Sequence, residues 1–385
     1  MAIYLDHNAT TPIDPRVIEV MRPYLYEIFG NPSSVEHQHG HDASIAIERA
    51  REQTAAAIGA RPNEIVFTGS CTEADNMAVL GVARANPERR HIIASAIEHP
   101  AVLEPLRMLE REGWNVSFLP VDKNGQVSVA AVGAAIRDNT ALVSIMAANN
   151  EVGAIQPIQA IGKVCAERGV LFHVDLAQVV AYQEIDVERD NIHLASISGH
   201  KAYGPKGIGA LYVRSRKPRV RLAPIMFGGG QERGLRPGTL NTTAIVGMGE
   251  AMVIARSSAA TESERLRGLC RRFLDKMRSN VEGVCLNGPE DARLANNISL
   301  SIAGIEPLAL IRRLNQDLSF SASSACATEK IQTSHVLLAM FGETARARQA
   351  FRIAPGRFTT ESDLDDAAEL LISEINRLRV GTGHA

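Results

Sequence analysis

The chain has 385 residues, of which 45% are hydrophobic, 22% charged and 4% aromatic, and its formal net charge is −2. That balance lacks the clustered basic excess of a polyanion binder, no apolar run approaches the ~20 residues of a membrane span, and the opening Met1-Ala2-Ile3-Tyr4-Leu5-Asp6 has neither the basic nor the apolar region of a signal peptide. Its five cysteines, Cys71, Cys165, Cys270, Cys285 and Cys326, are odd in number, widely spaced and free of CxxC pairs; they form neither a disulfide framework nor a zinc site, and a cytoplasmic location is expected.

The length suggests roughly two to three domain-sized units. Between about 60 and 215, short apolar runs alternate with helical patterns. Strands are expected at Glu64–Thr68, Ile92–Ile97, Val116–Val121, Ala141–Ala147, Leu171–Val174, Leu194–Ser198 and Gly209–Arg214. Most are continuous apolar runs, as strands buried on both faces should be. Helices are expected at Thr72–Ala83 and at Pro157–Arg168, where Gly169 is the stop signal. Strands separated by helices imply right-handed crossovers and a mostly parallel sheet. After residue 240 the pattern changes to helices at Ala244–Ala255 and Glu262–Arg278, divided by Arg256-Ser257-Ser258-Ala259-Ala260. A smaller α+β pattern follows, with a strand near Asn297–Ile302 and helices near Pro307–Leu314 and Asp363–Leu378.

Four segments carry chemistry. In Ser198-Gly199-His200-Lys201-Ala202-Tyr203-Gly204, a strand ends in a glycine-rich turn presenting a lysine. Burial and neighbouring cations could make such an amine a Schiff-base former, although a basic surface loop reads the same way. In Thr68-Gly69-Ser70-Cys71-Thr72, a strand turns directly into a helix, whose free N–H groups suit a phosphate or are simply capped by Thr72. Asp175 stands at the end of the apolar strand Phe172-His173-Val174, either solvated or facing a fixed cation such as a protonated pyridine. Ser321-Ala322-Ser323-Ser324-Ala325-Cys326 surrounds one thiol with small residues that suit an accessible nucleophile, although by itself a lone cysteine reads more readily as a small buried hydrophobe.

Taken in order, Tyr4-Leu5-Asp6-His7-Asn8-Ala9-Thr10-Thr11-Pro12, Gly30-Asn31-Pro32-Ser33-Ser34, Asn149-Asn150-Glu151-Val152-Gly153, Ser198-Gly199-His200-Lys201, Gly228-Gly229-Gly230-Gln231-Glu232-Arg233-Gly234, Ser323-Ser324-Ala325-Cys326 and Gly356-Arg357-Phe358-Thr359-Thr360-Glu361 closely resemble the NifS/IscS-type cysteine desulfurases from residue 4 to about 378. The resemblance implies a pyridoxal-phosphate fold type I enzyme, an α/β protein with a mostly parallel seven-stranded sheet domain (15–257) and a smaller α+β domain (1–14 and 258–385). It makes Lys201 the cofactor-linking lysine and His99 the ring-stacking acid/base. Asp175 is then the partner of the pyridine nitrogen, with Gln178 and Asn150 near the phenolic oxygen and ring. Cys71, Thr72, Ser198 and His200 are expected to hold the phosphate, with Thr239 reaching the phosphate of the other subunit of a homodimer. Arg357 is expected to clamp the substrate carboxylate, with Asn150 beside it, and Cys326 to take sulfur from L-cysteine as a persulfide for a protein acceptor. That acceptor would serve iron–sulfur assembly, RNA thiolation or DNA phosphorothioation, the last as in DndA-like members. A selenocysteine lyase or an aminotransferase on the same fold is the alternative reading.

Three departures from the family pattern stand out: the Gly69-Ser70 order before the phosphate turn, Leu176 beside Asp175, and Ala354-Pro355 before Gly356. Only Val380–Ala385 follow the last helical pattern, where iron–sulfur members carry a scaffold-docking tail, so weak scaffold binding is expected. Neither a metal at His37-Gln38-His39-Gly40-His41 nor nucleic acid at Arg214–Arg221 is expected; the basic run reads as a solvated connection.

Overall fold

The computed structural model describes residues 2–322 and 333–381. After a short strand β1 (Ile3–Tyr4), seven strands build the large sheet: β2 (Ile65–Thr68), β3 (His91–Ser95), β4 (Asn115–Leu119), β5 (Thr140–Ser144), β6 (Leu171–Asp175), β7 (Leu194–Ser198) and β8 (Gly209–Val213). Their order is β2-β8-β7-β6-β5-β3-β4. Only β8 runs against its neighbours; the remaining pairs are parallel. Each of the seven expected strands is present, with ends shifted by up to three residues. Alternation across the sheet explains the continuous apolar runs. Ile93, Val143 and Phe172 enter the core on one face, while their neighbours Ile92 and Leu142 enter the core on the other.

The smaller sheet consists of β9 (Val284–Leu286), β10 (Ile298–Ile302), β12 (Ser321–Ala322) and β13 (Ala350–Ile353), in the antiparallel order β12-β13-β10-β9. Between them in sequence lies β11 (Leu318–Ser319), which pairs in parallel with β1. The N-terminal segment is thereby stitched to the smaller sheet, and Leu5 joins its core with Leu300, Phe351 and Leu371.

One expectation fails here. The helices foreseen on either side of Arg256–Ala260 are a single helix, Thr242–Asn280, of 39 residues. The intervening residues contain neither Gly nor Pro, and the Ser257 and Ser258 hydroxyls donate back to the Ile254 carbonyl at 3.0 and 2.8 Å. Serines that bond the preceding turn in this way remain helical. The helix crosses between cores, placing Ile245, Met248 and Met252 in the large one and Phe273 and Met277 in the small one. The expected division at 257/258 therefore falls inside a continuous rod.

Candidate active site

The C-terminal ends of the parallel strands, where open α/β sheets bind ligands, border a cleft of about 690 Å³. Nine of the expected site residues line it: Cys71, Thr72, His99, Asn150, Asp175, Gln178, Ser198, His200 and Lys201. Each is delivered by a strand end or the turn after one. Asp175 is the last residue of β6 and Ser198 the last of β7, and β7 continues into the short helical turn Gly199–Lys201. Thr239 is exposed and lies away from the cleft. Cys326 lies outside the described residues.

Lys201 donates from Nζ to the Asn8 carbonyl. Burial, reinforced by the Arg352 cation, lowers its amine to about 8, against the pull of Asp175 and Asp6. Asp175 accepts from Ala177 N at 2.8 Å and from the Cys71 thiol at 3.5 Å. Burial and the neighbouring Asp175 push that thiol well up, so Cys71 is a poor nucleophile. His99 caps the helix Pro100–Arg111, its Nδ1 accepting from Ala101 N at 3.1 Å. Burial lowers its pKa. A neutral ring that accepts at Nδ1 must carry its proton on Nε2. Gln178 is locked against Asn8, accepting at Oε1 from Asn8 Nδ2 (3.2 Å) and donating from Nε2 to Asn8 O (3.1 Å). His200 meets Thr10 Oγ1 at 3.0 Å from Nδ1; burial, then Lys201, lowers it to about 4.

The anion-receptive turn differs from expectation in its cap. Ser70, not Thr72, caps the helix Cys71–Ala85, its Oγ accepting from Glu73 N at 3.1 Å. The Gly69-Ser70 order thus places a capping hydroxyl immediately before the helix. Thr72 is left exposed at the cleft with the first-turn N–H groups. Glu73 in turn accepts from Gly69 N (2.7 Å) and Arg236 Nε (2.9 Å), bracing the turn. On the adjacent strand, a Cβ at Gly209 would stand 2.6 Å from Ser70 C and 2.9 Å from Cys71 N, so only glycine lets β8 pass beneath the turn.

Arg357 is the clear correction. Its guanidinium is absent from the cleft lining, donates to Asp14 Oδ2 at 2.8 Å and lies 4.2 Å above the Tyr203 ring, with 6% of the side chain exposed. Among the described residues, two arginines line the cleft: Arg107, exposed and paired with Glu104 on the helix Pro100–Arg111, and the buried Arg352 on β13. Arg352 is the one held within the site. It donates to Asp6 Oδ1 at 2.6 Å and to the Asn150 carbonyl at 2.9 Å, while its buried Nε has no partner. A readable signal was present: Phe351 and Ile353 flank Arg352 in an otherwise apolar strand. A charge inserted there on the alternate face requires a dedicated partner. Asp6, Glu151, Ser334 and His335 also border the cleft. Burial raises Glu151 to about 7 against a hydrogen bond from Ser334 Oγ.

The two distractors have structural roles. His37 Nδ1 accepts from Gly40 N at 3.1 Å, capping the helix Gln38–Ala57. Arg214, foreseen in a solvated run, is buried and donates to the Val187 carbonyl at 2.9 Å.

A lysine whose amine is lowered to about 8, a buried aspartate and a helix N-terminus around one cleft suit an aldehyde, a cationic ring nitrogen and a phosphate. These three groups occur together in pyridoxal phosphate. Residues 3–366 match the family Aminotransferase class-V, and the fold and cleft are those of this pyridoxal-phosphate-dependent class. The cysteine desulfurase IscS of Rickettsia bellii (strain OSU 85-389) is 47% identical over 380 residues, 98% of this chain and 92% of that one. A solved NifS-like protein superposes with a TM-score of 0.91 at 36% identity, covering 98% of this chain and 100% of that one. SspA in complex with cysteine gives 0.82 at 37% identity, with 93% and 100% covered. Within its class the chain belongs to the cysteine desulfurases. No helix among the described residues is long and apolar enough to cross a membrane.

Proposed function

We propose that the chain takes sulfur from L-cysteine onto Cys326 as a persulfide, releases L-alanine, and passes the sulfur to a protein acceptor in the cytoplasm. The observation that carries this reading is the Lys201 amine, depressed to about 8 and sharing the cleft with Asp175 and the open helix N-terminus. Bound there, pyridoxal phosphate supplies an electrophilic carbonyl and a protonated ring that accepts electrons from the substrate's α-carbon. Asp175 holds the proton on the ring nitrogen. The N–H groups and hydroxyls of Cys71, Thr72, Ser198 and His200 hold the phosphate. Gln178 and Asn150 would orient the ring, and His99, with its proton on Nε2, would serve as the acid/base beside it. Arg352, rather than Arg357, grips the substrate carboxylate. Lys201 Nζ would take the proton from the α-carbon, and the Cys326 thiolate would attack the substrate sulfur as its bond to the β-carbon breaks, the β-carbon then taking up a proton to leave alanine.

The exposed apolar side chains Leu25, Tyr26, Phe29 and Phe227, at 63–82% exposure, support pairing of two copies. Thr239 of one copy would then approach the phosphate of the other. Borohydride reduction of the yellow protein followed by peptide mapping tests the cofactor site. The pyridoxyl group is expected on the peptide containing Lys201. A label on any other lysine, or a protein that stays colourless with added pyridoxal phosphate, overturns the reading.

A further inference from the structure

Beneath Asp175 lies a second carboxyl with no role in the chemistry described above. Asp75 sits one turn into the helix Cys71–Ala85 and is 1% exposed; neither oxygen closes a well-formed hydrogen bond, and the Ser196 hydroxyl is the donor that acts on it. One of its oxygens, the Cys71 Sγ and one Asp175 carboxylate oxygen lie within 4.8 Å of one another. From the same face of β6, two residues before Asp175, His173 brings Nε2 to 3.5 Å from Asp75 Oδ1. That imidazole is itself fully buried, held between Ser144 Oγ (2.8 Å, at Nδ1) and Ser196 Oγ (2.9 Å, at Nε2). The remaining charge felt by Asp75 is Glu98, in the turn after β3. No cation among the described residues pairs with Asp75.

An ionised carboxylate in such a place would be a second buried anion beside Asp175, with the Ser196 hydroxyl and no cation to offset it. We propose that Asp75 is a positioning residue: held as a neutral carboxylic acid beside Asp175, it leaves Asp175 the single carboxylate under the cofactor ring. Burial and the adjacent Asp175 push Asp75 well above the usual carboxylate range, in agreement with the geometry. Burial also lowers His173 to about 3, so the ring stays neutral and supplies no compensating charge. Asparagine at position 75 keeps a neutral donor of the same size, whereas leucine keeps only the volume. The proposal rests on Asp175 facing the ring nitrogen, as in the function proposed above.

Two measurements test it. The first is infrared difference spectroscopy at neutral pH on cofactor-free protein, wild type minus Asp75→Asn. A C=O stretch of a protonated carboxyl is expected; carboxylate bands in its place overturn the proposal. The second is the pH titration of the visible band of protein loaded with pyridoxal phosphate. Asp75→Asn is expected to keep the wild-type midpoint within a few tenths of a unit, and Asp75→Leu to move it by about one unit. A leucine midpoint equal to wild type, or an asparagine shift as large as the leucine one, overturns it. If the leucine variant does not fold, the infrared difference still decides. A wild type that fails to bind pyridoxal phosphate sinks the functional reading instead, and leaves the infrared result on Asp75 standing.

Discussion

Lys201 holds its amine where the charged form is disfavoured, and that has a measurable cost in the protein without cofactor. Unfolded, the amine keeps its proton up to about pH 10.4; folded, it loses it near 8. Between those limits the unfolded chain binds more protons, so the contribution of this group to stability climbs as pH rises and is flat on either side. Lys201→Met is expected to abolish the climb and to stabilise cofactor-free protein at pH 7 by about 2–3 kcal/mol in denaturant titrations. An unchanged climb would assign it to another group. The two arginines give a second residue-level contrast. Arg352→Gln is expected to raise KM for L-cysteine roughly 10- to 100-fold while the cofactor colour persists, the worth of a charge-assisted carboxylate contact. Arg357→Ala should instead cost about 3 kcal/mol of stability by breaking a buried pair, with KM little changed. The reverse pattern would return the carboxylate to Arg357.

Among the elements, the helix Cys71–Ala85 both closes the phosphate turn and presents Asp75. Its cap is one hydroxyl, so Ser70→Ala should lower stability by about 1 kcal/mol and weaken pyridoxal phosphate binding together. Loss of stability with unchanged cofactor affinity, read from fluorescence titration, would show the cap to be structural alone. The strands of the large sheet were legible because burial on both faces makes each a continuous apolar run. The long helix was not, because Ser257 and Ser258 look like a break until their hydroxyls are seen bonding Ile254. Lys201, Asp175 and the phosphate turn were legible as unusual residues at strand ends. Arg352 was less legible because it stands in a short apolar strand, five residues before Arg357 and its more distinctive motif. Which arginine faces the cleft depends on the pairing of β13 with β10 and β12, and that register is set by tertiary contacts.

Over the whole molecule, burial also keeps several histidines neutral: His173 falls to about 3, and His193 and His200 to about 4. Unfolded, each would take a proton near pH 6.5. Stability is therefore full above 6.5 and falls as pH drops toward 4, because the unfolded chain binds the extra protons. His193, whose Nδ1 accepts from Phe172 N at 3.0 Å, is far from the cleft chemistry. His193→Gln should recover about 2 kcal/mol of the loss between pH 6.5 and 5, read as a shallower acid limb in thermal unfolding; an unchanged limb would place the acid sensitivity elsewhere. The cleft itself is lined by Lys201, Asp175 and the Asp6–Arg352 pair, with the Glu104–Arg107 pair also on its lining. What this arrangement serves is decided by where the sulfur goes. Loaded enzyme treated with sulfur-labelled L-cysteine, quenched by alkylation and mapped by mass spectrometry, should carry one added sulfur on the Cys326 peptide, with one L-alanine released for each. Alanine release with the label on another cysteine, such as the exposed Cys285, or on none, would contradict the account.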